Sequence, residues 1–170
     1  YMVRPVTLRA GAVVDEPKGV GPVHRWWDGL DAKGEVKMNC DSGCTATMIK
    51  TPKHVKNYNR YSTPEKCDTA KADSQIDIVG EGVLKNLVPH ASSPCKMKIE
   101  TLVTPNAEED LLSVSQTVDM STVKGMWLGN DESNRKNDSR MHMTDGNTVP
   151  IEREAGSYYV RFKVVEGDLP

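Results

Sequence analysis

Apolar and polar residues alternate along much of the chain, a pattern that predicts β-strands with one buried face. The runs 76–84, 97–103 and 158–165 alternate, and the runs 35–40, 45–49 and 123–128 are also interpreted as extended. Two shorter runs, 141–143 and 148–151, are joined through Asp145-Gly146, a dipeptide typical of tight hairpin turns. The sequence therefore predicts a mostly β protein.

Two segments depart from this alternation. Residues 50–71 are polar and predict a loop, whereas residues 106–119 predict a turn followed by one short helix. The apolar members of that helix are Leu111, Leu112, Val114 and Val118. The acidic triplet 108–110 is interpreted as preceding the start of the helix, where carboxylates interact favourably with the helix dipole.

Prolines and glycines are frequent in residues 1–30, with short extended runs between them. This composition predicts an N-terminal arm made of loops and an edge strand rather than a helix. The run 3–8 and the closing run 158–165 are the candidates for pairing with another chain, because exposed strand edges invite such pairing.

Composition and charge exclude several classes of function. With 170 residues the chain is long enough for one well-cored domain, and its formal net charge of −2 offers no electrostatic footprint for nucleic acid. No apolar run approaches the roughly 20 residues of a membrane-spanning helix. The first residues also lack the apolar stretch of a secretory signal. We therefore expect an intracellular, cytoplasmic protein that binds neither membranes nor nucleic acid directly.

The four cysteines predict free thiols, because no secretory signal precedes them. Only Cys40 and Cys44 are close in sequence, and the four histidines are scattered singly. A zinc site needs two pairs of closely spaced ligands. We therefore predict no metal site and no cofactor, and a zinc-binding or nucleic-acid-binding fragment is the disfavoured alternative.

The candidate chemistry lies at Asp41-Ser42-Gly43, between the strand-like runs 35–40 and 45–49. These neighbours predict a carboxylate at the tip of a tight turn, which Gly43 permits and the Ser42 hydroxyl can hold by a hydrogen bond. Such a carboxylate suits an aspartic protease. The alternative is a turn aspartate whose side chain only caps nearby backbone amides.

Four segments resemble, in order and spacing, the retropepsins of copia-type LTR retrotransposons. They are Asp41-Ser42-Gly43-Cys44-Thr45, then Ala72-Asp73-Ser74-Gln75 with Gly80-Glu81-Gly82-Val83, then Leu102-Val103-Thr104-Pro105 with the stretch 110–116, and finally the hairpin 141–159. The stretch 112–116 is the most specific of these matches. Together they cover roughly residues 35–160.

This resemblance implies a mostly β, retropepsin-like acid-protease barrel with one short helix, active as a homodimer on a peptide or polyprotein substrate. It further implies a protease domain at 31–124, after the arm at 1–30, and a C-terminal β extension at 125–170, in the cytoplasm or within a virus-like particle. The arm itself has no counterpart in the resemblance. The catalytic residues would be Asp41, Ser42 and Gly43. The substrate-binding residues would be Cys44, Thr45 and the flap residues Ala72, Asp73, Ser74 and Gln75.

The sequence also departs from the family pattern. Retropepsins usually carry an apolar residue two positions before the aspartate, where this chain has Asn39, and retroviral members have glycine at the position of Ser113. A domesticated or inactive protein of the same fold, acting in peptide binding or assembly, is therefore the alternative function.

The number of Asp-Ser/Thr-Gly motifs in the chain bears separately on its assembly. A dyad of carboxylates that shares one proton needs two aspartates. This chain contains one Asp-Ser/Thr-Gly, so either two copies pair about a twofold axis or the protein is inert.

Overall fold

The computed structural model describes residues 2–3, 32–69, 71–89, 95–130 and 136–165. Within these ranges the chain forms twelve strands and one short α-helix. In order they are β1 (Met2–Val3), β2 (Ala32–Asp41), β3 (Thr47–Ile49), β4 (Val55–Thr69), β5 (Gln75–Val88), β6 (Met97–Val103), β7 (Leu111–Ser113), α1 (Val114–Val118), β8 (Val123–Trp127), β9 (Arg140–Met143), β10 (Thr148–Pro150), β11 (Glu152–Glu154) and β12 (Ser157–Val165). The prediction of a mostly β protein with one short helix is confirmed.

Nine strands form one large mixed sheet in the order β1-β4-β5-β6-β3-β7-β2-β12-β11. Strands β2 and β7 run parallel, as do β3 and β6, whereas β12 pairs antiparallel with β2. A further pairing joins β5 to β12, so that β5, β6, β3, β7, β2 and β12 make a closed ring of paired strands. Strands β10, β9 and β8 form a separate three-stranded sheet.

Two hydrophobic clusters hold these elements together. The larger cluster joins the two sheets, because it combines side chains of β2, β5, β6 and β12 with Met141, Met143 and Val149 of the small sheet. The smaller cluster contains side chains from the loop after β2 and from the β4–β5 hairpin; its buried members are Cys44, Met48, Cys67, Ile76, Ile78, Ala107 and Leu111. Burial of these apolar groups is the main favourable contribution to folding.

The closing strand and the last hairpin follow the sequence pattern. Strand β12 alternates, with Tyr158, Val160, Phe162 and Val164 buried. Strands β9 and β10 pair antiparallel around the turn that contains Gly146, whose φ of +88° lies in the left-handed region that favours glycine. Strand β12 also shares the large sheet with β2, so residues on both sides of the boundary predicted near residue 124 contribute to one core.

The prediction of a loop at residues 50–71 is wrong. After a short 3-10 turn at Pro52–His54, residues 55–69 form β4, the partner of β5 in a long antiparallel hairpin. Val55 and Cys67 are the buried residues of this strand. Apolar and polar residues do not alternate along β4, because most of its side chains are exposed on both faces of the strand. The strand is defined instead by its backbone pairing with β5.

The helix predicted within 106–119 is shorter than expected. Leu111 and Leu112 belong to β7, a buried strand between β2 and β3, and α1 comprises only Val114–Val118. Consecutive apolar residues fit a fully buried strand as well as a helix, which explains the error. The triplet 108–110 therefore does not precede a helix; Ser113 caps α1, and no acidic residue lies in its first turn.

The two strands proposed as free edges have different outcomes. Strand β12 is not an edge, because it pairs with β2 on one side and with β11 and β5 on the other. Of the arm 1–30, Met2–Val3 is described as β1, which runs parallel to the end of β4 at the border of the large sheet. The rest of the arm, the remainder of the run 3–8 included, lies outside the described residues. No helix in the described ranges has the length and apolar character needed to cross a membrane.

Close backbone approach within the β4–β5 hairpin yields a stability prediction. A Cβ added at Gly80 would lie 2.6 Å from the Asn59 carbonyl oxygen, whereas one at Gly125 would meet nothing within 4 Å. Gly80→Ala should therefore lower the free energy of unfolding by about 1–3 kcal/mol through overpacking. The matched control, Gly125→Ala, should be neutral or slightly stabilising. Urea denaturation of both variants tests this, and equal stabilities would contradict it.

Candidate active site

Asp41 is the last residue of β2, where the chain turns towards β3. It pairs with Ser113 at the end of the parallel strand β7, so two strand ends meet at this point. The other side of β2 is paired with β12. Because strands flank β2 on both sides, the backbone that carries Asp41 is fixed within the sheet.

The Asp41 carboxyl group is fully buried, with a relative exposure of 0%. The backbone N–H of Gly43 donates to its Oδ1 atom at 2.8 Å, whereas its Oδ2 atom is buried without any hydrogen-bond partner. Burial raises the pKa of Asp41 above its usual value, and backbone hydrogen bonds from Gly43 and Cys44 oppose that rise. The site therefore has one anchored oxygen and one unsatisfied oxygen, on a carboxyl group that retains its proton more readily than an exposed aspartate.

The other two motif residues have unequal roles in this geometry. Gly43 supplies the amide that anchors Asp41. Ser42 is exposed, and its hydroxyl makes no hydrogen bond to the described residues. The turn is therefore held by the Gly43 amide and not, as predicted, by the Ser42 hydroxyl.

Cys44 and Thr45, both predicted to bind substrate, face different environments. The Cys44 thiol is buried in the smaller cluster and donates to the Ala46 carbonyl oxygen at 2.6 Å. Burial raises the pKa of this thiol to about 11, which keeps it protonated and poorly nucleophilic at neutral pH. Thr45 is exposed and lines a cavity.

This cavity has a volume of about 560 Å³ and lies between the loop that follows Asp41 and the β4–β5 hairpin. Its lining is mostly polar: Thr45, Ala46, Asn57, Asn59, Glu81, Gly82, Val83, Glu100, Thr101, Leu102 and Gln116. The volume falls within the range of ordinary ligand pockets. Thr45 and Ala46 bring the loop that follows Asp41 to the wall of this cavity.

The four predicted flap residues lie at the tip of the same hairpin. Ala72, Asp73 and Gln75 are exposed and Ser74 is half-buried; the Ser74 carbonyl oxygen accepts a hydrogen bond from the Thr69 amide at 3.0 Å. None of the four lines the cavity, which borders the middle of the hairpin instead. Nearer the tip, Cys67 and Ile76 pack with Cys44, so the hairpin covers the loop that follows Asp41.

A hydrogen-bonded clamp that sequence reasoning missed is centred on Gln116. Its side-chain oxygen accepts from the Thr47 amide at 2.9 Å, and its side-chain nitrogen donates to the Glu100 carbonyl oxygen at 2.7 Å. The Thr47 hydroxyl in turn accepts from the Ser113 amide at 3.2 Å. Helix α1, β3, β6 and β7 are thereby joined behind the Asp41 turn. The only sequence signal for this role was the place of Gln116 at the end of the matched stretch 112–116.

A second polar group lies beside the motif, and of its members the sequence had singled out only Asn39. Asn39 is only 4% exposed, and its Nδ2 atom donates to Glu109 Oε2 at 2.6 Å. The Tyr159 hydroxyl donates to Glu109 Oε1, also at 2.6 Å. Burial and the neighbouring Glu109 raise the pKa of Tyr159 to about 12, so its hydroxyl remains a donor at neutral pH. Asn39, which departs from the family pattern, thus has a polar partner for its Nδ2 atom in Glu109, whereas its Oδ1 atom is buried without a hydrogen-bond partner.

The described part of the chain contains no group of three or more His, Cys, Asp or Glu side chains able to hold a metal ion. Comparisons of the chain with protein-family models, with curated proteins and with solved structures found no match.

The raised pKa of Asp41 predicts a pH-dependent effect of Asp41→Asn on stability. In the window above the ordinary pKa of 3.8, the folded chain binds this proton while the unfolded chain has lost it. The contribution of Asp41 to the free energy of unfolding is therefore greatest below about pH 4. It decreases as the pH rises through the raised pKa. Asp41→Asn removes that loss, so its free energy of unfolding relative to wild type should be greater at about pH 7 than at about pH 3.

Urea denaturation at both pH values, at one fixed protein concentration, measures this difference. Asp73→Asn, at the exposed hairpin tip, controls for the removal of one surface carboxylate. A relative stability of Asp41→Asn that stays constant between the two pH values would contradict the prediction.

Proposed function

We propose that this chain is an aspartic endopeptidase of the retropepsin type, with a barrel-like catalytic fold that acts as a homodimer. The observation that carries the proposal is the Asp41 carboxyl group, buried at a strand end with Oδ1 anchored by a backbone amide and Oδ2 unsatisfied. The hydrogen bond from the Gly43 amide is one that a capping turn aspartate would also accept, so the proposal rests on the buried, unused Oδ2 atom. A buried carboxyl group with an unused oxygen is suited to hold or pass a proton.

The reaction follows from pairing two such groups, as in aspartic proteases generally. Like charges at short distance cannot both ionise easily, so two Asp41 carboxyl groups would share one proton. The ionised member removes a proton from the attacking water while the protonated member donates to the carbonyl oxygen of the peptide bond. The raised pKa of Asp41 in the single chain favours this shared state, because it lowers the cost of keeping one carboxyl group protonated.

Dimer formation is required by the count of motifs. The chain has a single Asp-Ser-Gly, so the second carboxylate must come from a second copy across a twofold axis. Strand β12 is unavailable for pairing between copies, since both of its edges are occupied. The border strands of the described sheet, β1 and β11, retain one free edge each and are the better candidates.

The proposed substrate is an extended peptide within a polyprotein, in the cytoplasm or in a virus-like particle. An extended peptide offers backbone groups that pair with strand edges and alternate side chains that enter pockets. The cavity next to Thr45 provides one such pocket, and the β4–β5 hairpin is the candidate flap.

A non-catalytic, peptide-binding or assembly role is the second candidate, and Asn39 is the observation that favours it. A buried polar side chain stands here, two residues before Asp41, where retropepsins usually carry an apolar one. In that case the protein would bind peptides through the same surface without cleaving them.

Asp41→Asn separates the two candidates. Asparagine keeps the shape of the side chain but cannot exchange the shared proton, so peptide cleavage should fall at least a hundredfold, the lower range for loss of general acid–base catalysis. The dimer and the fold should persist. Cleavage of a peptide pool, followed by mass spectrometry, measures the loss, and sedimentation checks the assembly. Residual activity within tenfold of wild type would reject Asp41 as the catalytic group.

Specific activity should also depend on protein concentration. A monomer holds half a site, so the activity per chain should fall at dilutions where the dimer dissociates. A stable interface should bury on the order of 1,600 Å² in total. A dilution series of activity, compared with sedimentation over the same range, tests the requirement. A monomer that is fully active at nanomolar concentration would contradict it.

A further inference from the structure

Two glutamates of the cavity beside Thr45 lie on one face of the large sheet. Glu81 of β5 pairs in register with Leu102 of β6, and Val83 pairs with Glu100. Paired residues of antiparallel strands share a face, so each glutamate here adjoins two apolar side chains. The two glutamates are diagonal neighbours, a relation that separates residues by about 7–8 Å. One cationic group placed between them can therefore contact both carboxylates.

Solvent reaches both carboxylates of this cavity. Glu81 and Glu100 are exposed, whereas Val83 and Leu102 are half-buried within the lining. Long cationic side chains lay their methylene stem along apolar surface and keep the charged end accessible to water. Asn59, which pairs with Glu81 on the other side of β5, adds an amide oxygen that accepts hydrogen bonds. Apolar surface next to accessible acceptors fits a lysine or arginine side chain.

The negative charge of the cavity is not paired with a cation in the described part of the chain. No Lys, Arg or His side chain belongs to the described lining, and neither glutamate forms an ion pair with a described residue. Lys56 of β4 and Lys98 of β6 lie along the neighbouring strands but outside the lining. The partner of Glu81 is uncharged, because the Tyr61 hydroxyl donates to its Oε2 atom at 3.1 Å. Two like charges without a counter-ion favour the binding of a cation between them.

A peptide bound at Asp41 is long enough to reach the cavity. Thr45 on the cavity wall is four residues after Asp41, so their Cα atoms lie at most about 14 Å apart. An extended peptide advances about 3.3 Å per residue, so a side chain within about five residues of the scissile bond can enter the cavity. The cavity also borders the β4–β5 hairpin, which is the candidate flap.

We propose that this cavity is a specificity subsite for a lysine or arginine side chain of the bound peptide. Glu81 and Glu100 bind the ammonium or guanidinium group. Val83 and Leu102 contact the methylene stem. The subsite disfavours acidic side chains, because their charge is repelled by the two glutamates. This inference rests on the peptide binding proposed above.

Peptide selection on the Asp41→Asn protein tests the subsite without requiring cleavage. A positional-scanning peptide library is bound to this variant, and the retained peptides are identified by mass spectrometry. At one peptide position, Lys and Arg should be enriched over Gln and Met, and Asp and Glu should be depleted. Adding Glu81→Gln together with Glu100→Gln should reduce the enrichment of Lys and Arg about tenfold, the effect of one lost charge-assisted hydrogen bond.

Two further variants, also in the Asp41→Asn background, separate the effect of charge from that of folding. Glu81→Lys together with Glu100→Lys should reverse the preference, so that Asp and Glu become enriched at that position. Glu65→Gln, at an exposed glutamate of the same hairpin outside the cavity, is the matched control and should leave the selection unaltered. Thermal melts check that each variant is folded. If Asp41→Asn is unfolded, the residues flanking the sites cleaved by wild type and by the double glutamine variant take the place of the selection.

The outcomes distinguish this inference from the proposed function. If wild type cleaves peptides through Asp41 but the double glutamine variant leaves the selection unchanged, the subsite is overturned and the protease stands. If wild type cleaves nothing while the selection depends on the two glutamates, the subsite stands and the protease is overturned. Absence of both cleavage and retained peptides overturns both.

Discussion

The burial of one carboxyl group at the end of β2 is the constraint on which the proposed chemistry depends. Burying a carboxyl group is costly, because its ionised form loses hydration, so the rest of the fold must outweigh that cost. Here β7 and β12 flank the strand, the Gly43 amide anchors one oxygen, and Gln116 ties the elements behind the turn together. The surrounding β-sheet therefore serves to keep a poorly solvated acid in one place.

The sequence predicted the elements whose side chains alternate and missed those defined by backbone pairing. Strand β12 was found because its apolar residues alternate, and the β9–β10 hairpin because Gly146 needs a left-handed backbone. Strand β4 was missed because its side chains are polar on both faces. Leu111 and Leu112 were misassigned because two adjacent apolar residues fit a buried strand or a helix equally well.

The same distinction applies to the site. Asp41 could be found from a local motif of three residues. Gln116 and Glu109 could not, because their partners Thr47 and Asn39 are 69 and 70 residues away in sequence. Asn39 stood out as a departure from the family pattern, but its meaning required the carboxylate that the fold brings to it. Local sequence thus indicates the reacting group, whereas its environment is a property of long-range pairing.

That long-range pairing bears on when the site can exist. Strand β2 is completed by β12, and contacts between them span most of the chain; Glu35 and Arg161, for example, are 126 residues apart. Such pairings form late, because the entropy of closing long loops must be overcome first. On the ribosome, β2 emerges well before its partner has been translated. Until β12 has been translated, Asp41 remains a solvated carboxylate. The order of translation therefore delays the burial of this acid until most of the chain has been made.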